Sequence, residues 1–171
     1  EPFGKLNVDN ITFSPVKLSH EVHSLFLNEN HNVNFSLDLQ YPLPETVVAD
    51  PIRVRQILIN LCGNALKFTQ DGTVCLSLIY KKQSLLFNVI DSGIGVHENK
   101  LKSIFEEFNQ ADNSTLREYG GTGLGLTISQ RLARMMGGEI LIKSKVGKGS
   151  TFTLSLNLEN QKIKLIDEYD N

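Results

Sequence analysis

Cysteine is scarce in this chain of 171 residues: only Cys62 and Cys75, each inside an apolar segment and without CxxC spacing. That argues against a disulfide framework and points to reduced core thiols in a cytosolic setting. Long hydrophobic runs are missing as well. No stretch approaches the ~18 apolar residues of a membrane span, and the N-terminus has no signal-peptide pattern. Neither sign of charge dominates: the net charge is −2 and the pI is near 6.1. The electrostatic footprint of a nucleic-acid or anionic-membrane binder is therefore absent. Familiar motifs fail on spacing. Lys148-Gly-Ser150 lacks the full P-loop pattern, Gly121-x-Gly-x-Gly125 has the wrong final spacing for a dinucleotide fingerprint and no strand entering it, and His97-Glu98 has no second histidine for zinc. The chain starts at Glu1 without a methionine, as expected of a piece cut from something longer.

What is present fits one globular domain with a sizeable core: 40% apolar and 21% charged residues. Leu6–Phe13 reads as a strand, and Ser14-Pro15 as a cap and first-turn proline for a helix over Val16–Asn30. Val33–Gln40 alternates, with Val33, Phe35, Leu37 and Leu39 on one face, and Val47–Ala49 makes a short strand. Asp50-Pro51 opens a helix to about Phe68, whose apolar stripe is Val54, Ile57, Leu61, Ala65 and Phe68. Thr73–Lys81 and Ser84–Ile90 form a hairpin, followed by a glycine loop from Asp91 and a short helix over Glu98–Phe105. Leu124, Ile128, Leu132 and Met135 recur at helical intervals until Gly137-Gly138 stops them. Two last strands, Glu139–Ser144 and Thr151–Leu158, are joined by the turn Val146–Gly149. The expected fold is α+β: a two-layer sandwich with a mixed, mostly antiparallel sheet and helices on one face.

Three features carry chemistry. The helix over 51–68 has a polar stripe of Gln56, Asn60, Asn64 and Lys67. Asparagine is a poor helix former, so two of them four apart spend helix propensity on something. Asn64's amide oxygen suits Mg²⁺, and Lys67 suits a phosphate as a point charge; a harmless surface stripe is the other reading. Asp91, at a strand end before Gly93 and Gly95, offers an acceptor-only carboxylate for the exocyclic amine of adenine. An ordinary Asp-Ser-Gly turn would look the same. Glycines 120–125 feed a helix N-terminus, where bare N–H groups and the helix dipole favour phosphate, although a flexible loop also has this composition. Phe105 and Phe108 would anchor one end of a polar segment, 109–121, long enough to be a lid, with Arg117 and Tyr119 near its far end; core aromatics and a solvated arginine are the other reading.

In order and spacing these motifs resemble sensor histidine kinases. Asn60-L-C-G-Asn64-A-L-Lys67-F-T is similar to their asparagine box, and Asp91-S-G-I-Gly95 to their first glycine box. Phe105-E-E-Phe108 is similar to their phenylalanine box and Gly121-T-Gly-L-Gly125-L to their second glycine box, while GSTF before the last strand also fits. The resemblance covers roughly Leu6 to Leu158, and FNQADNSTLREYGGTGLGL looks most like hybrid kinases, whose catalytic domain precedes a receiver domain.

The resemblance implies the Bergerat fold and Mg²⁺–ATP. The adenine would lie on Asp91, Gly93 and Gly95, with Asn64 on the metal and Asn60 and Lys67, as the catalytic pair, near the phosphates. Phe68, Arg117, Gly121, Thr122, Gly123, Leu124 and Gly125 complete the implied nucleotide site, and Ser150 or Thr151 would hold a water beside Asp91. It further implies a remnant of an upstream dimerisation helix at 1–5, a catalytic domain at 6–160 and a linker at 161–171. The implied setting is the cytoplasmic part of a membrane-anchored homodimer, with this piece monomeric. Its partners would be a histidine acceptor domain upstream and a receiver domain or response regulator downstream. Ser19-His20-Glu21-Val22 imitates the acceptor box, but His23 replaces its usual arginine and no proline follows. The interval from His20 to Asn64 is also too short for a two-helix hairpin plus the first strands. In ATPase relatives a glutamate stands at the position of Asn60. An amide cannot take a proton from water, so the resemblance favours a kinase over an ATPase or a silent binding domain.

Overall fold

The computed structural model describes residues 7–28, 32–69, 71–93, 122–145 and 147–170. Its frame is a five-stranded sheet in the order β2 (Val33–Gln40), β5 (Gly72–Lys81), β6 (Ser84–Asp91), β8 (Gly149–Asn157), β7 (Gly138–Lys145). Only β2 and β5 run parallel; the other three pairings are antiparallel. The helices α1 (Pro15–Leu25), α2 (Pro51–Phe68) and α3 (Thr122–Met135) pack on one face. Leu85, Phe87 and Val89 of β6 alternate inward and are fully buried, whereas Ile90 and Leu141 remain exposed on the open face. The expected sandwich is the observed one.

Polar caps set the helix starts. Ser14 Oγ accepts from the Lys17 N–H and begins α1. The buried Asp50 carboxylate begins α2, accepting from the N–H groups of Ile52 and Arg53 at 3.1 Å each and of Asp9 at 2.8 Å. The helix α1 ends at Leu25, short of the expected Asn30, and the chain then enters β2. His20 is exposed on α1, beside a Ser19 buried against the Pro15 carbonyl. The first strand, β1 (Ile11–Phe13), is also shorter than expected, because Asn7–Asn10 find no strand partner and β1 pairs only with β4 (Val47–Ala49).

Two differences concern burial. The core face of α2 is wider than the predicted stripe and includes Leu58, Cys62 and Leu66, because α1 and α3 flank the helix while the sheet lies beneath it. Phe68, at the last residue of α2, lies beyond that packing and is 49% exposed. The C-terminal segment, expected as a linker, folds back. Its β9 (Leu165–Ile166) pairs with β3 (Leu43–Pro44), and Ile163 packs against the core. Cys62 and Cys75 are free thiols, and burial pushes the Cys62 thiol up to about 12, so it stays protonated.

Candidate functional site

Local chemistry places one polar side of α2 between two glycine segments. At its middle, the Asn60 amide Nδ2–H donates to Ser129 Oγ of α3 at 3.2 Å. A Cβ on Gly125 would stand 2.6 Å from Asn60 Oδ1 and 3.0 Å from its Nδ2, so glycine is what lets α3 approach this closely. Gly125 therefore meets the asparagine box directly. One turn onward, Asn64 Nδ2 is buried and has no hydrogen-bond partner among the described residues. A buried amide normally has its nitrogen satisfied. Asn64 is instead a side chain whose hydrogen bonding is incomplete among the described residues.

The Asn64 amide oxygen fits a nucleotide-bound Mg²⁺, while its unpaired Nδ2–H donor suits a phosphate oxygen and not the cation. The described residues contain no cluster of three His, Cys, Asp or Glu that would hold a metal by themselves. A cation here would take the Asn64 amide oxygen from the protein and its remaining ligands from phosphate and water, the usual habit of Mg²⁺. Lys67 is exposed, with Nζ 5.7 Å from the ring centroid of Phe68, its neighbour at the helix end.

The other end of the site is built on β6. Asp91 is its last residue, and Oδ1 accepts from the Gly93 N–H at 3.0 Å. Burial raises the Asp91 pKa above its ordinary value, partly offset by hydrogen bonds from the backbone of Gly93 and Ser150. Strand register sets Ser150 opposite Asp91 and Thr151 opposite the exposed Ile90. Ser150 thus shares the covered face with Asp91, and its hydroxyl is paired with Ser144 Oγ at 2.8 Å.

The helix α2 reaches both ends. Asn60 and Thr69, its first residue past the end, are separated by roughly 13 Å of helix rise, and a Cβ on Gly93 would stand 2.9 Å from Thr69 Oγ1. Thr69 thus lies beside Gly93, a placement its sequence does not betray, because a threonine after a helix is an ordinary cap until its neighbours are known. Gly95, Arg117, Gly121, the lid at 109–120, the expected helix at 98–105, Phe105, Phe108 and residues 1–5 lie outside the described residues. Thr122, Gly123 and Leu124 open α3, with their backbone alone described.

The family described as histidine kinase-, DNA gyrase B-, and HSP90-like ATPase matches residues 49–160. The chain belongs to it. The matched span opens beside the α2 cap and closes just past β8, so it holds both ends of the site. Its relatives include the sensor histidine kinase GacS of Pseudomonas protegens, 41% identical over 162 residues, which are 91% of this chain and 18% of GacS. The aerobic respiration control sensor protein ArcB of Escherichia coli K12 is 39% identical over 170 residues, 97% of this chain and 22% of ArcB. The chain thus spans about a fifth of the length of these curated relatives. A crystal structure of full-length ShkA in complex with AMPPNP superposes with a TM-score of 0.75 at 32% identity, over 90% of this chain and 32% of that one. The α+β sandwich is the fold of these histidine kinase ATPase domains.

Proposed function

We propose that this chain is the catalytic ATP-binding domain of a sensor histidine kinase and passes the γ-phosphoryl of ATP to a histidine on a separate dimerisation domain. The observation that carries this reading is the Asn64 Nδ2–H donor, buried and without a partner among the described residues, one turn along α2 from an Asn60 tied to Ser129. In this assignment the Asp91 carboxylate accepts from the adenine amine, and Gly93 and Gly95 let the ring lie on backbone. Asn60 and Lys67 face the phosphates, together with Arg117 and the glycines 121, 123 and 125. Asn64 would hold Mg²⁺, which neutralises charge on the phosphates when bound.

Phosphoryl transfer asks a protein mainly for position and charge neutralisation. At Asn60 an amide already bonded to Ser129 has no capacity to take a proton from water. ATP should therefore survive until an acceptor histidine arrives. Among the described residues no helix is long and apolar enough to cross a membrane. The membrane anchor, the dimerisation hairpin and any receiver domain belong to the assembly proposed around this piece, which works on the cytoplasmic side.

Calorimetry with Mg²⁺–ATP should give micromolar-range binding that chelation of the metal weakens, with little turnover by this chain alone. A supplied acceptor domain should become phosphorylated on histidine. Asn64→Ala should abolish transfer while the circular dichroism spectrum stays unchanged; undiminished transfer would overturn the assignment.

A further inference from the structure

The hydroxyl of Thr69 is the second buried polar atom without a hydrogen-bond partner among the described residues. The residue is 1% exposed and caps α2, its N–H bonded to the Ala65 carbonyl at 3.1 Å. Its side chain is oriented by its surroundings. The methyl faces Gly72, whose added Cβ would lie 3.7 Å from Cγ2, and the hydroxyl faces Gly93. The point a Gly93 Cβ would occupy is 2.9 Å from Thr69 Oγ1, 3.1 Å from Asp91 Oδ1 and 3.2 Å from the Phe68 carbonyl oxygen, so the hydroxyl and the carboxylate crowd the same side of Gly93. Only glycine fits against them. Leaving a hydroxyl unsatisfied is costly, yet here the fold turns the polar half of the threonine toward the carboxylate at the end of β6.

Resting on the ATP reading above, we propose that Thr69 is a second reader of the purine edge. Adenine presents an amine donor beside a ring-nitrogen acceptor. The Asp91 carboxylate can only accept, so it matches the amine and leaves the ring nitrogen in need of a donor. The Thr69 hydroxyl supplies it, directly or through one water shared with Asp91. Its orphan state is then the cost of a hydrogen bond completed by ligand.

This assignment gives binding and stability opposite signs. Thr69→Val keeps the side chain's shape and removes the hydroxyl. Titration calorimetry should show about tenfold weaker binding of ATP and ADP alike, the size of one lost hydrogen bond. Thr69→Ser should stay within about threefold of wild type. Without nucleotide, Thr69→Val should melt at the same temperature or a few degrees higher, because an unsatisfied buried group is gone. Unchanged affinity in Thr69→Val, or a lower melting temperature of its nucleotide-free form, would overturn the proposal while leaving the ATP reading intact. A wild-type chain that fails to bind ATP would overturn both.

Discussion

At the scale of single residues, Asp91 sets burial against charge. Burial raises its pKa and two backbone hydrogen bonds only partly restore the charged form. Folded protein therefore holds the Asp91 proton more tightly than unfolded protein does. Its contribution to stability is fullest below the unfolded pKa and is lost as pH rises through the folded one. On the proposed assignment ligand runs the other way, since only an ionised carboxylate would accept from the adenine amine. ATP affinity should thus fall as acidification reaches Asp91, at a pH above the ordinary aspartate range. The Asp91→Asn variant should lose affinity at neutral pH, lack this acid limb, and gain stability relative to wild type as pH rises. Calorimetric titrations and urea melts across pH would check all three, and a parallel acid limb in the variant would refute the assignment.

Among the elements, α2 and β7 are the instructive pair. The Asp50 cap, the Pro51 start and the polar stripe of α2 are all readable in sequence, because each rests on residues within a few positions of one another. How wide its buried face is depends on α1 and α3, which no local pattern contains. The edge strand β7 shows the same limit. Buried Gln130 of α3 donates from Nε2 to the Ile140 carbonyl at 3.0 Å and accepts the Ile140 N–H at 2.7 Å. One side-chain amide thus stands in for the missing strand. Gln130→Leu should destabilise the domain by about 2–3 kcal/mol, since it leaves two buried backbone groups unpaired. Chemical denaturation would measure the loss, and a neutral result would mean water reaches that edge.

For the whole molecule, the second such amide closes the chain on itself. Gln161 accepts from the Val48 N–H and donates to the Val48 carbonyl, both at 2.8 Å, while the Glu45 N–H donates to the Lys164 carbonyl. The charged composition of 161–171 reads as a loose end because its anchors lie more than a hundred positions away. Deleting residues 161–171 should cost about 2 kcal/mol or more in urea unfolding, from lost hydrogen bonds and exposure of Ile163. Equal stability of the truncated domain would show the return strand to be passive.

Local order was settled by the sequence alone: element types over most of the described chain, two helix caps, and the succession of asparagine and glycine boxes. Those signals come from periodicity, backbone preference and spacing, which are properties of neighbours along the chain. Tertiary structure alone decided that Gly125 lies against Asn60, that Ser150 and not Thr151 shares a face with Asp91, and that Thr69 turns its hydroxyl toward Gly93. These are relations between residues tens of positions apart, set by strand register and by how closely two helices can approach. No side chain carries that information until the core has packed.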